Sequence, residues 1–476
     1  MSTITHGRRM GANRPRVSRQ RQATPVHALI WDHKTNAIGL IFLVIGFEFV
    51  QQIPSIAVYI LLSALALRSP EWSIRALTAG IFATLLTGGI TQEFIPLELR
   101  EVRVGTSDTG KLVGRYMLLV ACLVQFLTGK PARNRLSFWP AFVAFTVVVV
   151  LNSIVVSYEP LVSLFKAGTL GLGTFILLRA AMLFRGSRFM EDWFSVFIGA
   201  SVLASLPLVL LPEGFLVNGA GFQGLYNHPQ VFGVLCGIFA AALFQRAING
   251  RNRQVANLTV LTVTLICLVL SQARTGMLAF LVGTLVATFA SMFAKDAKKG
   301  AAIPFALLGC IALLLALSLP QTYDVIGGFV SKRNYDAYTL TTLWSSSRGR
   351  LVEEALAGFV QHPFLGVGFG LPSDPNLLEI KYDPFLGLPI GASVEKGLIF
   401  TAVLEELGLL GGFVSGLFLL SIIGTALTHA KPEGIALVFA AIASNLGEST
   451  LTSFGGLGGF VWLAIAVGLS MTRRDA

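Results

Sequence analysis

The chain is poor in charge and in the residues that hold metals or cross-links. Only 13% of its 476 residues are charged, against about 25% in ordinary soluble proteins. There are four cysteines and six histidines. Cys122, Cys236, Cys267 and Cys310 each sit inside an apolar block, with no CxxC pair and no histidine spaced as a partner, so they read as packing residues. Neither a disulfide framework nor a metal site organises such a chain. A transmembrane β-barrel is excluded too, because its strands alternate apolar and polar residues over about ten positions. Here Leu258 to Leu270, broken only by threonines, and Ala301 to Leu319 are apolar nearly all round. No internal repeat is evident, which speaks against carriers built from inverted repeats.

What the sequence does have is apolar mass: 54% hydrophobic residues and a mean hydropathy of +0.72. It comes in blocks of about twenty residues, the length a helix needs to cross a hydrocarbon core of about 30 Å. The fold class is therefore all-α, a polytopic membrane bundle with about 12–14 transmembrane helices. The expected organisation is a basic tail over 1–35, eleven spans within 36–319, a large folded loop over 320–397, three spans within 398–471, and a short tail over 472–476.

The net charge of +11 is unevenly placed. The first 21 residues carry six arginines and no acid. A basic tail of this kind fits nucleic acid, but here it directly precedes a membrane block, where positive charge sets orientation. Threading the chain from a cytoplasmic start puts most of the 36 basic residues on the cytoplasmic side, and every loop there obeys the positive-inside rule. Both termini are expected in the cytoplasm. No nucleic-acid partner is expected, and contact with anionic membrane lipids is compatible with the tail.

A few cations break this pattern. Arg115 near the start of the fourth span, Lys166 near the start of the sixth and Arg274 at the head of the tenth all approach the outer face. A charge at mid-span costs about 2.5–3.5 kcal/mol on insertion scales, so three at one level suggest an anion among them. A lipid-linked diphosphate suits, since guanidinium donors match phosphate oxygens. The alternative is that Arg115 and Lys166 snorkel to the interface. His228, before Pro229, is placed for acceptor contact, although a histidine there is commonly a turn or cap residue.

The long outer loop adds Arg348 and Arg350, then His362-Pro363-Phe364-Leu365-Gly366-Val367-Gly368-Phe369-Gly370. From Leu351 the apolar residues recur at helical spacing, which predicts a short amphipathic helix near the interface, ended at His362-Pro363. The glycines follow a helix instead of joining a strand to one, so a nucleotide loop is rejected, and they read as a tight turn returning the chain to the membrane. Glu395 and Lys396 open the next apolar run, which holds Glu405 and Glu406. Glu395 is a candidate general base, or an interfacial charge at a helix start. On one continuous helix Glu395 and Glu406 stand about 16 Å apart at about 1.5 Å per residue, beyond the roughly 5–9.5 Å of a glycosidase pair. Structural hydrogen bonding is the expected role of Glu405 and Glu406.

The order of these motifs over roughly residues 220 to 425 resembles the O-antigen ligase and O-antigen or exopolysaccharide polymerase superfamily. It comprises the glycine-containing loop 224–233, Ser271-Gln272-Ala273-Arg274-Thr275-Gly276 heading a span, Gly349-Arg350, the glycine turn, and Glu405-Glu406-Leu407-Gly408 re-entering the membrane. The resemblance implies a bacterial inner-membrane glycosyltransferase whose active site faces the periplasm. It would move glycan from undecaprenyl diphosphate to an acceptor saccharide without cofactor, metal or nucleotide sugar, a chain-length regulator being a further expected partner. By position Arg274 and Arg350 match the arginines expected to hold the diphosphate and are assigned to catalysis with Glu395; Arg348, Arg115, Lys166, His228 and Lys396 are assigned to substrate binding. Ligases usually carry a histidine where Gly397 stands here, which favours a polymerase. A ligase onto lipid A core or another acceptor, and a lipid-linked oligosaccharide flippase, remain as alternatives.

Overall fold

The computed structural model describes residues 26–49, 55–86, 108–128, 138–215, 221–249, 254–292, 349–382, 387–394 and 396–472. The arginine-rich tail, the expected span at 301–319 with Cys310, Arg348 and Glu395 lie outside the described residues. Fourteen helices are described: α1 (Val26–Phe49), α2 (Ser55–Ala66), α3 (Pro70–Leu86), α4 (Asp108–Thr128), α5 (Trp139–Val155), α6 (Pro160–Leu183), α7 (Phe189–Ser205), α8 (Pro229–Asn249), α9 (Gln254–Ser271), α10 (Arg274–Met292), α11 (Arg350–Gln361), α12 (Ile399–His429), α13 (Pro432–Ala443) and α14 (Leu457–Ser470). Proline at the first or second position of α5, α6 and α13 fixes φ where the N–H has no intrahelical partner anyway.

The protein is an all-α polytopic membrane bundle. α4, α6, α7, α8, α9, α10 and α12 are long and apolar enough to cross a membrane, while α2, α5, α13 and α14 are apolar but shorter. The outside of the bundle is equally apolar: Phe42, Leu127, Val155, Val269, Phe289 and Phe413 are 63–77% exposed. Such a surface suits hydrocarbon as solvent and would be costly in water.

Lipid gives helices no hydrophobic reason to associate, so small residues and interhelical hydrogen bonds hold the centre. α10 lies between α8 and α13. The backbones of Gly237 and Gly276 touch, and Gly283 lies against Ala436 and Ala440. Gln245, fully buried on α8, donates to the Thr284 carbonyl at 3.1 Å and to Thr288 Oγ1 at 2.8 Å on α10. Where α8 ends, Glu191 pairs with Arg246 at 3.1 Å and with Lys431 at 3.7 Å.

The segment between α11 and α12 is folded. It carries a two-stranded antiparallel hairpin, β1 (Glu379–Tyr382) and β2 (Pro389–Ser393), pairing Glu379 with Ser393 and Ile380 with Ala392. The sequence pattern had suggested only helix and turns there. α11 buries Val352, Ala355 and Gly358 against α12 and exposes Leu356 and Val360, so the amphipathic stripe faces protein on one edge only.

The decisive departure from a plain bundle is in α12, which is broken at Gly408 (φ 63°, ψ −163°). Only glycine adopts this backbone readily. The break removes the helical bonds from residues 409 and 410 back to 405 and 406, and segment 363–368 replaces them. Glu405 and Glu406 carbonyls accept from the Val367 and Gly368 N–H groups at 3.0 and 3.1 Å, and the N–H groups of Leu409 and Leu410 donate to the carbonyls of Pro363 and Phe364 at 2.8 and 3.2 Å. A Cβ on Gly408 would collide with the Phe364 backbone, and one on Gly366 with the backbone of Glu406 and Leu407. The glycines of this segment therefore permit main chain to meet main chain. Gly408→Ala should lower the apparent melting temperature in detergent sharply, since the backbone conformation alone costs about 1–3 kcal/mol. Gly424→Ala, at a helical position with open space around it, should leave it unchanged or slightly raised.

Candidate active site

Once segment 363–372 is seated in the break, it is tied to the ends of α5 and α6. Asn152 Nδ2 donates to the Leu365 carbonyl (2.6 Å), Ser163 Oγ to that of Phe369 (2.7 Å), the Tyr158 hydroxyl to that of Pro372 (3.0 Å) and Lys166 Nζ to that of Gly370 (2.6 Å). Burial, with Glu159, Glu405 and Asp374 nearby, pushes the Tyr158 phenol up to about 12, so it stays a neutral donor.

Two carboxylates fix the same segment from below. Glu406 Oε2 accepts from the Gly370 N–H at 2.8 Å, and Glu405 Oε1 from the Ser373 N–H at 2.7 Å. Lys396 closes the arrangement: its ammonium meets Glu405 Oε2 at 2.7 Å, Glu406 Oε1 at 3.3 Å and the Leu371 carbonyl at 2.7 Å. It donates hydrogen bonds to Glu405 and the Leu371 carbonyl and forms an ion pair with Glu406. Lys396, Glu405 and Glu406 are at most 9% exposed, so their charges stand only because each has partners.

Beside this cluster opens a cavity of about 360 Å³, within the size range of ligand sites. α4 contributes Arg115 and Tyr116, α6 Lys166 and Thr169, and α3 Leu77, Ile81 and Thr84. Gly370, Ala392 and Val394 come from the loop above, with Lys396 and Glu406 behind them and Ser449, Thr452 and Ser453 on the far wall. With Lys396 paired to Glu405 and Glu406, Arg115 and Lys166 are the further cations on the wall. Arg115 Nε lies 3.5 Å from the Tyr59 hydroxyl, while Tyr116 bonds Thr169 Oγ1 (2.7 Å) and the Phe165 carbonyl (3.0 Å), tying α4 to α6. The far wall is held by Asn445, fully buried, whose Oδ1 accepts from the N–H groups of Thr450 and Leu451 at 2.7 and 2.8 Å.

The structure brings together Arg115, Lys166 and Lys396 of the residues singled out from sequence. Glu395 is outside the described residues, between the cavity-lining Val394 and Lys396, and so is Arg348. Arg274 heads α10 just after Gln272, the described non-glycine residue with positive φ (54°), and does not line the cavity. Its neighbour Thr275 packs on Gly447, two residues before the wall residue Ser449. Arg350 starts α11, with its side chain 79% exposed and 3.5 Å from Glu354. His228 precedes α8 and its Nδ1 accepts from the Gln230 N–H at 3.1 Å, a capping arrangement. Tyr116, Asn445 and the wall hydroxyls escaped the sequence reading. The one available signal was the polar pair Ser444-Asn445 inside an otherwise apolar block.

Lys396→Met should destabilise the protein by about 3–5 kcal/mol, the usual effect of stranding buried charge. Adding Glu405→Gln should recover part of that loss, and a double-mutant cycle on thermal unfolding in detergent reads the coupling.

In comparison with known proteins, the chain matches no curated protein. Residues 259–415, however, match the family model described as O-Antigen ligase. The matched region runs from α9 past the break in α12, and so takes in Arg274, α11, the glycine segment, Lys396 and the Glu405–Glu406 pair. This matched segment, about a third of the chain, is similar to the O-antigen ligase family and supports the resemblance carried by the motif order.

Proposed function

We propose that the protein is a membrane glycosyltransferase that draws glycan from a lipid diphosphate, undecaprenyl diphosphate by the family resemblance, and adds it to an acceptor saccharide in cell-surface polysaccharide biosynthesis. The observation that carries this is the cavity whose wall holds Arg115 and Lys166, from two apolar helices, beside a Lys396 already paired with Glu405 and Glu406. Cations at that depth are costly without an anion to hold. A family with lipid-linked glycan donors supplies such an anion.

In this reading an acceptor hydroxyl attacks the anomeric carbon, its proton passes to a base, and the carbon–oxygen bond to the diphosphate breaks. The diphosphate carries off the electron pair as negative charge. Arg115 and Lys166 stabilise that charge, the larger contribution for so good a leaving group. Glu395, next in sequence to two cavity-lining residues, is the proposed base. Glu406 is a poor one, since both its oxygens are engaged by Lys396 and the Gly370 N–H. Arg274, Arg348 and Arg350 are proposed to act on the donor or acceptor outside the cavity wall, with smaller effect. A polymerase working on the periplasmic face of the inner membrane is favoured over a ligase, because Gly397 occupies the place of the ligase histidine.

Arg115→Ala should reduce transfer by roughly 10–150-fold, the equivalent of one charge-assisted hydrogen bond of about 1.5–3 kcal/mol. Arg350→Ala should change it less than about threefold. The assay is transfer from purified lipid-linked glycan by detergent-solubilised protein, which a flippase would not perform, with polysaccharide length distributions in cells alongside. Loss of long polymer with single repeats still displayed marks a polymerase, while accumulation of long lipid-linked chains marks a ligase. Normal transfer by Arg115→Ala would overturn the assignment.

A further inference from the structure

Tyr116 lines the charged cavity but takes no part in the transfer step proposed for it. Its placement relates the two cations on the wall. Arg115 precedes it on α4, so the two side chains leave the helix about 100° apart, and both reach the cavity. On the neighbouring helix α6, the Tyr116 hydroxyl meets the Phe165 carbonyl at 3.0 Å and Thr169 Oγ1 at 2.7 Å. The Phe165 carbonyl belongs to the peptide unit that carries the Lys166 N–H, and Thr169 follows Lys166 by less than one turn. One phenol hydroxyl therefore joins the two helices immediately beside each cation.

The separation of Arg115 and Lys166 is set by neither backbone alone, because they stand on different helices. α4 packs mainly on α2. A second hydrogen bond between α4 and α6, from Arg179 Nε to the Phe126 carbonyl (3.5 Å), lies further along both helices, at 126 against 116 and at 179 against 169. That is about 15 Å from the cavity level at about 1.5 Å per residue. Like charges on one wall also repel, and more strongly away from water. Each head is held on its own side, Arg115 Nε at 3.5 Å from the Tyr59 hydroxyl and Lys166 Nζ at 2.6 Å from the Gly370 carbonyl. The freedom that remains is the gap between the helices, and Tyr116 closes it.

We infer that Tyr116 is a positioning residue for the donor: its hydroxyl clamps α4 to α6 and so sets the spacing at which Arg115 and Lys166 engage two linked phosphates together. The inference rests on the proposed head site and adds what makes it selective. A single phosphate is satisfied by one cation, whereas a diphosphate gains from two held ready at a fixed separation. A merely structural bridge would stabilise the bundle and leave that preference untouched.

Tyr116→Phe removes the hydroxyl and keeps the ring, which packs on Phe165 with centroids 5.9 Å apart. It strands no acceptor, because Thr169 Oγ1 also donates to the Phe165 carbonyl at 2.5 Å, so melting in detergent should move little. Inorganic pyrophosphate and inorganic phosphate serve as competing anions in the transfer assay. Pyrophosphate should inhibit the wild-type protein at the lower concentration. Tyr116→Phe should shrink that preference by about three- to tenfold, the scale of one neutral hydrogen bond, with a matching rise in KM for the lipid-linked donor. Thr169→Val removes the other hydroxyl of the bridge and should do the same, and the two changes together should do no more than either alone. Equal inhibition of the wild-type protein by both anions would overturn the inference. So would a wild-type preference and KM in Tyr116→Phe and Thr169→Val, even with a lowered kcat, and so would additive effects of the pair. Failure of the head site shows separately, as normal transfer by Arg115→Ala.

Discussion

The interaction on which the rest of the site depends is the replacement of two helical hydrogen bonds in α12 by four from another segment. A helix broken within a membrane leaves backbone groups that lipid cannot satisfy, so such breaks persist only where protein covers them. Here segment 363–368 supplies the partners, donating at Val367 and Gly368 and accepting at Pro363 and Phe364. Both strands of this contact need glycine, Gly408 for its conformation and Gly366 for close approach. The loop and the helix thereby fix each other's position. Everything that follows, from the Glu405–Lys396–Glu406 cluster to the roof of the charged cavity, hangs from that joint.

The electrostatics follow from the same joint. Glu405 and Glu406 sit at the break, where their carboxylates meet loop N–H groups and Lys396. A buried pair of acids is tolerable because charge, hydrogen bonds and geometry are all supplied at once. With Lys396 engaged by both acids, Arg115 and Lys166 bring the remaining positive charge to the cavity wall. Lys166 contributes twice, holding the Gly370 carbonyl and lining the cavity. The site and the scaffold therefore share side chains, which explains why a charge-poor chain places charge here.

Much of the architecture was legible from sequence. Apolar blocks of the right length gave the membrane helices, because lipid forces each segment to satisfy its backbone internally. The helical period gave α11, and the order of motifs gave a resemblance to the family whose model matches residues 259–415. The hairpin β1–β2 was not legible, since its short strands carry little alternation and owe their pairing to packing above α4 and α6. Nor was the purpose of the glycines in 366–370. A turn and a backbone-to-backbone joint ask for the same residue type, and only the partner segment, some forty residues away in sequence, tells them apart.

By itself the sequence determined that the chain is an all-α membrane bundle, that several cations stand at unusual positions, and that its motif order resembles that of the O-antigen ligase and polymerase superfamily. Hydropathy, charge and local period are properties of neighbouring residues, and they survive without a fold. The tertiary structure decided which charges meet. It joined Arg115, Lys166 and Lys396 from three distant segments in one cavity and left Arg274 and Arg350 off its walls. Those outcomes depend on a break at one glycine and on the segment that fills it, contacts between residues that no local pattern relates.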